Sequence, residues 1–120
     1  MRVVVTGGRD YDNSQHVFHT ILRVHTLTPI VLLAHGNARG ADKLSGEVAK
    51  SLGILVREFP VKRKEWDEFG RAAGPMRNQR MLDEVQPHLL IAFPGGDGTN
   101  DMLRRADKLE KLGKLRIMRA

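Results

Sequence analysis

The stretch from Leu89 to Met102, LLIAFPGGDGTNDM, constrains the fold more than any other. Leu89, Leu90, Ile91, Ala92 and Phe93 form an unbroken apolar run, as a strand buried on both faces requires. Pro94-Gly95-Gly96 stops that strand and turns the chain, and Met102, Leu103, Ala106 and Leu109 then recur at helical spacing. The unit is a strand, a glycine turn and a helix N-terminus. Gly95, Gly96 and Gly98 bring no Cβ, so backbone N–H groups can approach a ligand closely. Asp97 and Thr99 are the expected caps. A helix N-terminus carries unpaired N–H donors and about half a positive charge, which suits a phosphate. The competing reading is a plain tight turn.

The same alternation runs through the chain. Arg2 to Thr6 is a β-branched strand without polar alternation, which places it centrally in a sheet. Asp12 with Gln15 predicts a capping box, and Val17, Ile21 and Val24 predict an amphipathic helix to about Leu27. Ile30 to Ala34 is the second strand. Ala41, Leu44, Val48 and Leu52 mark a second helix closed by Gly53. Ile54 to Phe59 is the third strand, and Val61 to Gly74, with the only tryptophan, Trp66, reads as a long irregular stretch. A helix follows with Pro75 at its first position and Met81, Leu82 and Val85 as its buried face. The fourth strand is Leu89 to Phe93, and Leu115 to Met118 follows the last helix as a fifth.

Strands alternating with helices predict parallel βαβ units, hence a Rossmann-like three-layer α/β/α sandwich with a mainly parallel sheet of about five strands. Residues 1–120 read as a single domain, with no repeat or linker. In such sheets ligands bind beyond the carboxyl ends of the strands. The three unusual loops, Gly7–Tyr11, His35–Gly40 and Pro94–Gly98, all leave strand carboxyl ends and should meet on one edge.

Composition narrows the function classes. The chain has no cysteine, which removes disulfides, a thiol nucleophile and cysteine metal sites. Met1-Arg2 runs directly into a strand and the apolar runs are too short to span a bilayer, so the expected setting is the cytoplasm, with no membrane partner. The formal charge of +6 raises nucleic acid as a partner, but residues 102–120 hold seven Lys/Arg against Asp107 and Glu110, leaving only +1 for residues 1–101. Aromatic content of 5% is low for a base-stacking platform, so nucleic-acid binding through Arg104, Arg105 and Lys111 ranks last.

Arg9, Arg39 and Arg77 are the candidate cations for a phosphate, since Arg grips it bidentately. Arg77 is expected in a first helical turn, where a purely structural Arg is slightly unfavourable. Asp42 opens the second helix and either compensates its dipole or contacts a ribose hydroxyl. Asn78 suits phosphate or ribose. Trp66 either covers a base or fills the core. His16 and His19 share a helix face without a third ligand at useful spacing, so no metal is expected, and no cofactor is called for. His35 at a strand end reads as a satisfied structural histidine. No Walker pattern, GxSxG elbow or nucleophile–base pair is readable.

Four segments in order, TGGRDYDN at 6–13, HGNARGADKLS at 35–45, KEWDEFGRAAGPMRNQRM at 64–81 and FPGGDGTNDM at 93–102, resemble the SLOG superfamily, in particular its YspA-type branch (the DUF2493 grouping). The resemblance implies a Rossmann-like domain that binds nucleotides or nucleotide-derived ligands at its glycine turns, as a sensor or sequestering module. The implied ligand-binding residues are Gly7, Gly8, Arg9, Gly36, Arg39, Gly40, Asp42, Arg77, Asn78, Pro94, Gly95, Gly96, Gly98 and Thr99. It also implies self-association as a homodimer or higher homo-oligomer. More distant relatives are the Lonely Guy phosphoribohydrolases, with a PGGxGTxxE motif that Pro94, Gly95, Gly96, Gly98 and Thr99 match. Met102 stands where they carry glutamate. In their RKxxM segment Arg77 and Met81 match and Asn78 replaces lysine. The alternative function is therefore a nucleotide N-glycoside hydrolase with a relocated acid. Asp10, Asp42, Asp67, Asp97 and the adjacent Asp101 are its candidates. A helical step of about 100° is expected to turn Asp101 away.

Overall fold

A computed structural model describes residues 1–120. The sheet has five strands, β1 (Arg2–Thr6), β2 (Leu32–His35), β3 (Leu55–Glu58), β4 (Leu89–Ala92) and β5 (Arg116–Arg119), in the order β3-β2-β1-β4-β5. Every pairing is parallel. The helices are α1 (Ser14–Leu27), α2 (Ala41–Ser51), α3 (Arg63–Phe69), α4 (Ala73–Val85) and α5 (Asp97–Lys111), with a 3-10 turn at Gly70–Ala72. This is the expected Rossmann-like α/β fold. No helix is long and apolar enough to cross a membrane.

Alternation along β1 explains the layers. Val3 and Val5 pack with Val17, Ile21 and Val24 of α1 and with Ala41 and Ala49 of α2. Val4, one residue out of phase, faces Met81, Leu82 and Val85 of α4 and Met102 and Ala106 of α5. All three valines are fully buried, because a strand with helices on both faces has no solvent side. Strand order reverses between β1 and β4, which opens a crevice where the two following loops part.

Several local expectations are corrected. The cap of α1 is Asn13, whose Oδ1 accepts from the His16 amide at 3.1 Å, and not Asp12. The stretch 61–74 is mostly helical: Glu65 Oε1 accepts from the Lys62 amide at 3.1 Å, which starts α3, and the 3-10 turn joins it to α4. Apolar periodicity could not reveal α3, since it buries no residue. α4 accordingly starts at Ala73. Pro75 is its third residue, still among the amides that need no intrahelical acceptor, and Arg77 lies in its second turn rather than its first.

Gly40 fastens the first two loops together. It has φ of +79°, and an added Cβ there would collide with the carbonyl oxygen of Gly8 and lie 2.5 Å from that of Arg9. The Ala41 amide donates to the same Gly8 carbonyl at 3.2 Å. Gly53 also has positive φ, +75°, but nothing lies within 4 Å of its missing Cβ. Gly53→Ala should therefore cost only the left-handed strain of about 1–2 kcal/mol. Gly40→Ala adds the collision and should cost more than Gly53→Ala, by at least about 1 kcal/mol. Urea unfolding midpoints of the two variants check the order.

Candidate functional site

A cleft of about 1160 Å³ opens at the carboxyl edge of the sheet. Its walls are the loop after β1, Gly36 and Ala38 after β2, the turn after β4, the first turns of α4 and α5, and the side chains of Trp66 and Arg71. The three glycine-bearing loops do meet on one edge. Their contact is direct: the Gly8 amide donates to the Pro94 carbonyl at 2.9 Å, and an added Cβ at Gly95 would lie 2.6 Å from the Gly8 nitrogen.

The head of α5 forms one rim of the cleft. Its N-cap position is Gly96, and no side chain caps it. Asp97 and Thr99 do not serve as the expected caps. Asp97 is exposed within the first turn, while Thr99 is buried, its side chain packed under Gly95. The amides of Gly96, Asp97, Gly98 and Thr99 donate to no group of the protein. The Cβ positions of Gly96 and Gly98 face open space, so packing does not require glycine at either.

A polar brace holds this rim against α4. Arg77 Nη1 donates to the carbonyls of Gly36 at 2.6 Å and Phe59 at 3.1 Å, and Nε donates to Asn78 Oδ1 at 3.1 Å. Asn78 Nδ2 in turn donates to the Gly98 carbonyl at 3.2 Å and to Asp101 Oδ2 at 3.1 Å. Arg105 Nε closes the chain on Asp101 at 2.8 Å, and its Nη1 reaches Gln79 at 3.0 Å. Arg77 and Asn78 thus position backbone as well as lining the cleft. Burial pushes the Arg77 guanidinium down from its ordinary value, and the nearby Asp42 charge opposes that.

Of the cations expected at a phosphate, Arg9 lines the cleft, is exposed and has no partner. Arg39 does not line it. Its guanidinium pairs with Asp10 at 3.1 Å, and both side chains are largely exposed, so the pair adds little stability. Gly40 also lies outside the cleft wall and acts through the loop contact above. His35 is buried and accepts from the Asn37 amide at 2.9 Å through Nδ1, and burial pushes its pKa down from the ordinary value, as suits a structural histidine.

All four carboxylates other than Asp67 proposed as relocated acids line the cleft: Asp10, Asp42, Asp97 and Asp101. Asp101 is not turned away. Its side chain sits at the cleft wall, while Met102 is the residue directed into the core, where it is fully buried beside Val4 and Leu90. Burial alone would raise the Asp101 pKa, but hydrogen bonds from Arg105 and Asn78 and the charges of Arg105 and Arg104 outweigh it and hold the group below its usual value. Asp42 is 6% exposed and accepts from the Ala38 amide at 3.2 Å. Burial pushes its pKa up to about 6, against the pull of the Ala38 amide, Arg77 and the Gly36 amide.

Two charged wall residues, Arg71 and Arg104, lie outside the expected site, and Trp66, expected as either core or base cover, lies on the cleft with 40% of its surface exposed. The glycine-turn logic could not find Arg71 and Arg104, because both stand on helical segments after their loops. Along the basic C-terminal face, Arg104 lies 3.8 Å and Arg105 2.8 Å from Asp101, and Lys111 lies 2.9 Å from Asp107.

A doubly wound parallel sheet with a glycine-rimmed cleft at its switch point defines a class of α/β ligand-binding domains. Within that class, the model of the YspA, cpYpsA-related SLOG family (YAcAr) matches residues 1–66, and the chain belongs to this family. Membership suggests nucleotide-related ligand binding or processing. No curated protein matches the chain.

The raised Asp42 pKa fixes the sign of a pH effect. The unfolded carboxyl titrates near 3.8 and the folded one near 6, so the contribution to stability is full below pH 3.8 and fades as pH rises through about 6. Asp42→Asn removes this slope and keeps an oxygen for the Ala38 amide. The variant is expected to be more stable than the parent at pH 7, by up to about 3 kcal/mol, and equal to it near pH 4. Denaturant unfolding at both pH values checks this.

Proposed function

We propose that residues 1–120 form one nucleotide-binding domain, a sensor or sequestering module, which holds the phosphate of a nucleotide or nucleotide-derived ligand on the Pro94–Thr99 turn. The observation that carries this reading is the uncapped head of α5, with its free amides and with glycines 96 and 98 whose missing side chains face the open cleft. Such a rim offers hydrogen-bond donors and the positive end of a helix dipole to an anion. Arg9, exposed and unpaired, supplies a counter-charge. Arg77 adds its fixed charge and its Nη2, the guanidinium nitrogen left without a protein partner. Gly36, Ala38 and Asp42 form the side toward the ribose, and Gly7 and Gly8 the floor. The resemblance also carries self-association into a homodimer or higher homo-oligomer.

Gly98→Ala tests the rim. An alanine there meets no protein atom and should leave stability unchanged or raise it by up to about 1 kcal/mol. By intruding on the anion it should weaken binding at least about tenfold, a loss of about 1.4 kcal/mol. Calorimetry with linear and cyclic nucleotides reads both parent and variant. Absence of heat with every phosphorylated ligand, or equal affinity in the variant, rejects the reading.

The buried Asp42 favours a second reading, an N-glycoside hydrolase with a relocated acid. Glycosidic cleavage passes through an oxocarbenium-like state and uses a carboxyl whose pKa lies near the working pH. Asp42 meets that condition. Asp10 pairs with Arg39, Asp97 is exposed, and Asp101 is engaged by Asn78 and Arg105. Free base released from AMP, lost in Asp42→Asn while the variant stays folded, is the expected result. Binding without release at any pH from 5 to 8 returns the protein to the first reading.

A further inference from the structure

Trp66 is the only tryptophan of the chain. It stands on α3, a helix that buries no residue, and 40% of its surface is open. The Glu65 carboxylate accepts from the Lys62 amide at the start of α3 and lies 3.6 Å from Arg80 Nη1 of α4. The ring turns toward the cleft, and its tip would come 3.9 Å from a Cβ built on Gly74, so a glycine leaves room beside it. Its indole N–H donates to no protein group, although such a donor is normally paired when a tryptophan is used in a core.

The other aromatic ring on the cleft wall is already occupied. Tyr11 packs on Phe93 with ring centroids 5.4 Å apart. Trp66 has no aromatic partner and no cation over its face. The cleft, at about 1160 Å³, also exceeds the roughly 300–1,000 Å³ usual for small-molecule sites. A phosphate and sugar alone would not fill a cleft of this size.

We propose that the exposed indole of Trp66, carried on α3 at the cleft wall, stacks on the base of a nucleoside phosphate, so that this site selects base-bearing ligands over sugar phosphates. The inference rests on the nucleotide-binding reading above and adds the element that recognises the base. Stacking is tolerant of base identity, because every base presents a π-face, and the free indole N–H adds a donor at one edge. Arg71, also on the cleft wall and without a protein partner, supplies a second cation on this side.

The single tryptophan makes the test specific. The full chain is titrated with the four nucleoside 5′-monophosphates and with ribose 5-phosphate, reading tryptophan fluorescence, and with the same ligands by calorimetry for the parent, Trp66→Leu and Trp66→Phe. At least one nucleotide should change the emission, and ribose 5-phosphate should not. Trp66→Leu should weaken that nucleotide about five- to a hundredfold, with Trp66→Phe in between, and leave ribose 5-phosphate affinity unchanged. Part of the Trp66 ring is covered, so Trp66→Leu should lower the denaturant midpoint a little and Trp66→Phe less, and both variants should remain folded under the binding conditions. Nucleotide binding that is equal in parent and Trp66→Leu overturns the stacking proposal and leaves the phosphate rim standing. Heat from no phosphorylated ligand overturns the rim, and the stacking proposal with it.

Discussion

The site depends on a half-buried guanidinium held where three elements meet. Arg77 reaches from α4 to the carbonyls that end β2 and β3, Gly36 and Phe59, and through Asn78 to the head of α5. Each carbonyl it serves lies at the carboxyl edge of the sheet, where the ladder has ended and acceptors would otherwise be orphaned. Gly36 is fitted to this group: an added Cβ would lie 2.5 Å from Arg77 Nη1. Lysine could not replace it, since a single ammonium lacks the planar fork that meets two carbonyls and a side-chain amide at once. The brace also explains how the head of α5 keeps a fixed position without a cap. Asn78 takes the Gly98 carbonyl and Asp101 from the side, and the amides at the end remain free.

The legible part of the fold is the part governed by apolar periodicity and by glycine. The run from Val3 to Val5 had to be a central strand, because only helices on both faces can bury residues of alternating direction. The turn at Gly95 and Gly96 was legible because few structures place a proline and two glycines between an apolar run and a helix. α3 was not legible, because polar ties at Glu65 hold it and hydrophobic spacing does not. The caps were misplaced by one residue at Asn13 for a related reason. Asp12 and Asn13 are both good caps, and only the geometry of the chain entering α1 decides between them.

Within the site, residue type was legible and residue role was not. Arg77 and Asn78 read from the sequence as ligand residues, and much of their hydrogen-bonding capacity is spent on the protein. Asp101 and Met102 show the limit most clearly. A family motif locates an acid at position 102, but in this chain that position points into the layer between the sheet and α5. A charge there would be buried among Val4, Ala34 and Leu90 without a partner, at a cost that packing could not offset. Methionine at 102 is therefore a core residue first, and any acid of the cleft must come from a side chain one position away or from another loop.

Charge alone does not make this cleft attractive to an anion. Its wall carries four arginines, Arg9, Arg71, Arg77 and Arg104, and four aspartates, Asp10, Asp42, Asp97 and Asp101. Pairing takes up two of the aspartates and leaves Asp42 and Asp97 without an ion pair. Asp10 is bound by Arg39 from outside the cleft, and Asp101 is shared by Arg105, Arg104 and Asn78. Arg9 and Arg71 have no carboxylate of their own. The unpaired positive groups are those two exposed side chains and the backbone amides at the head of α5, with the Asp97 carboxylate beside them. Amides are fixed by the brace and need no reorganisation, so they set where an anion sits; the exposed arginines add charge around it. The chain's overall charge of +6, concentrated in the C-terminal face, is a separate matter from the chemistry of the cleft.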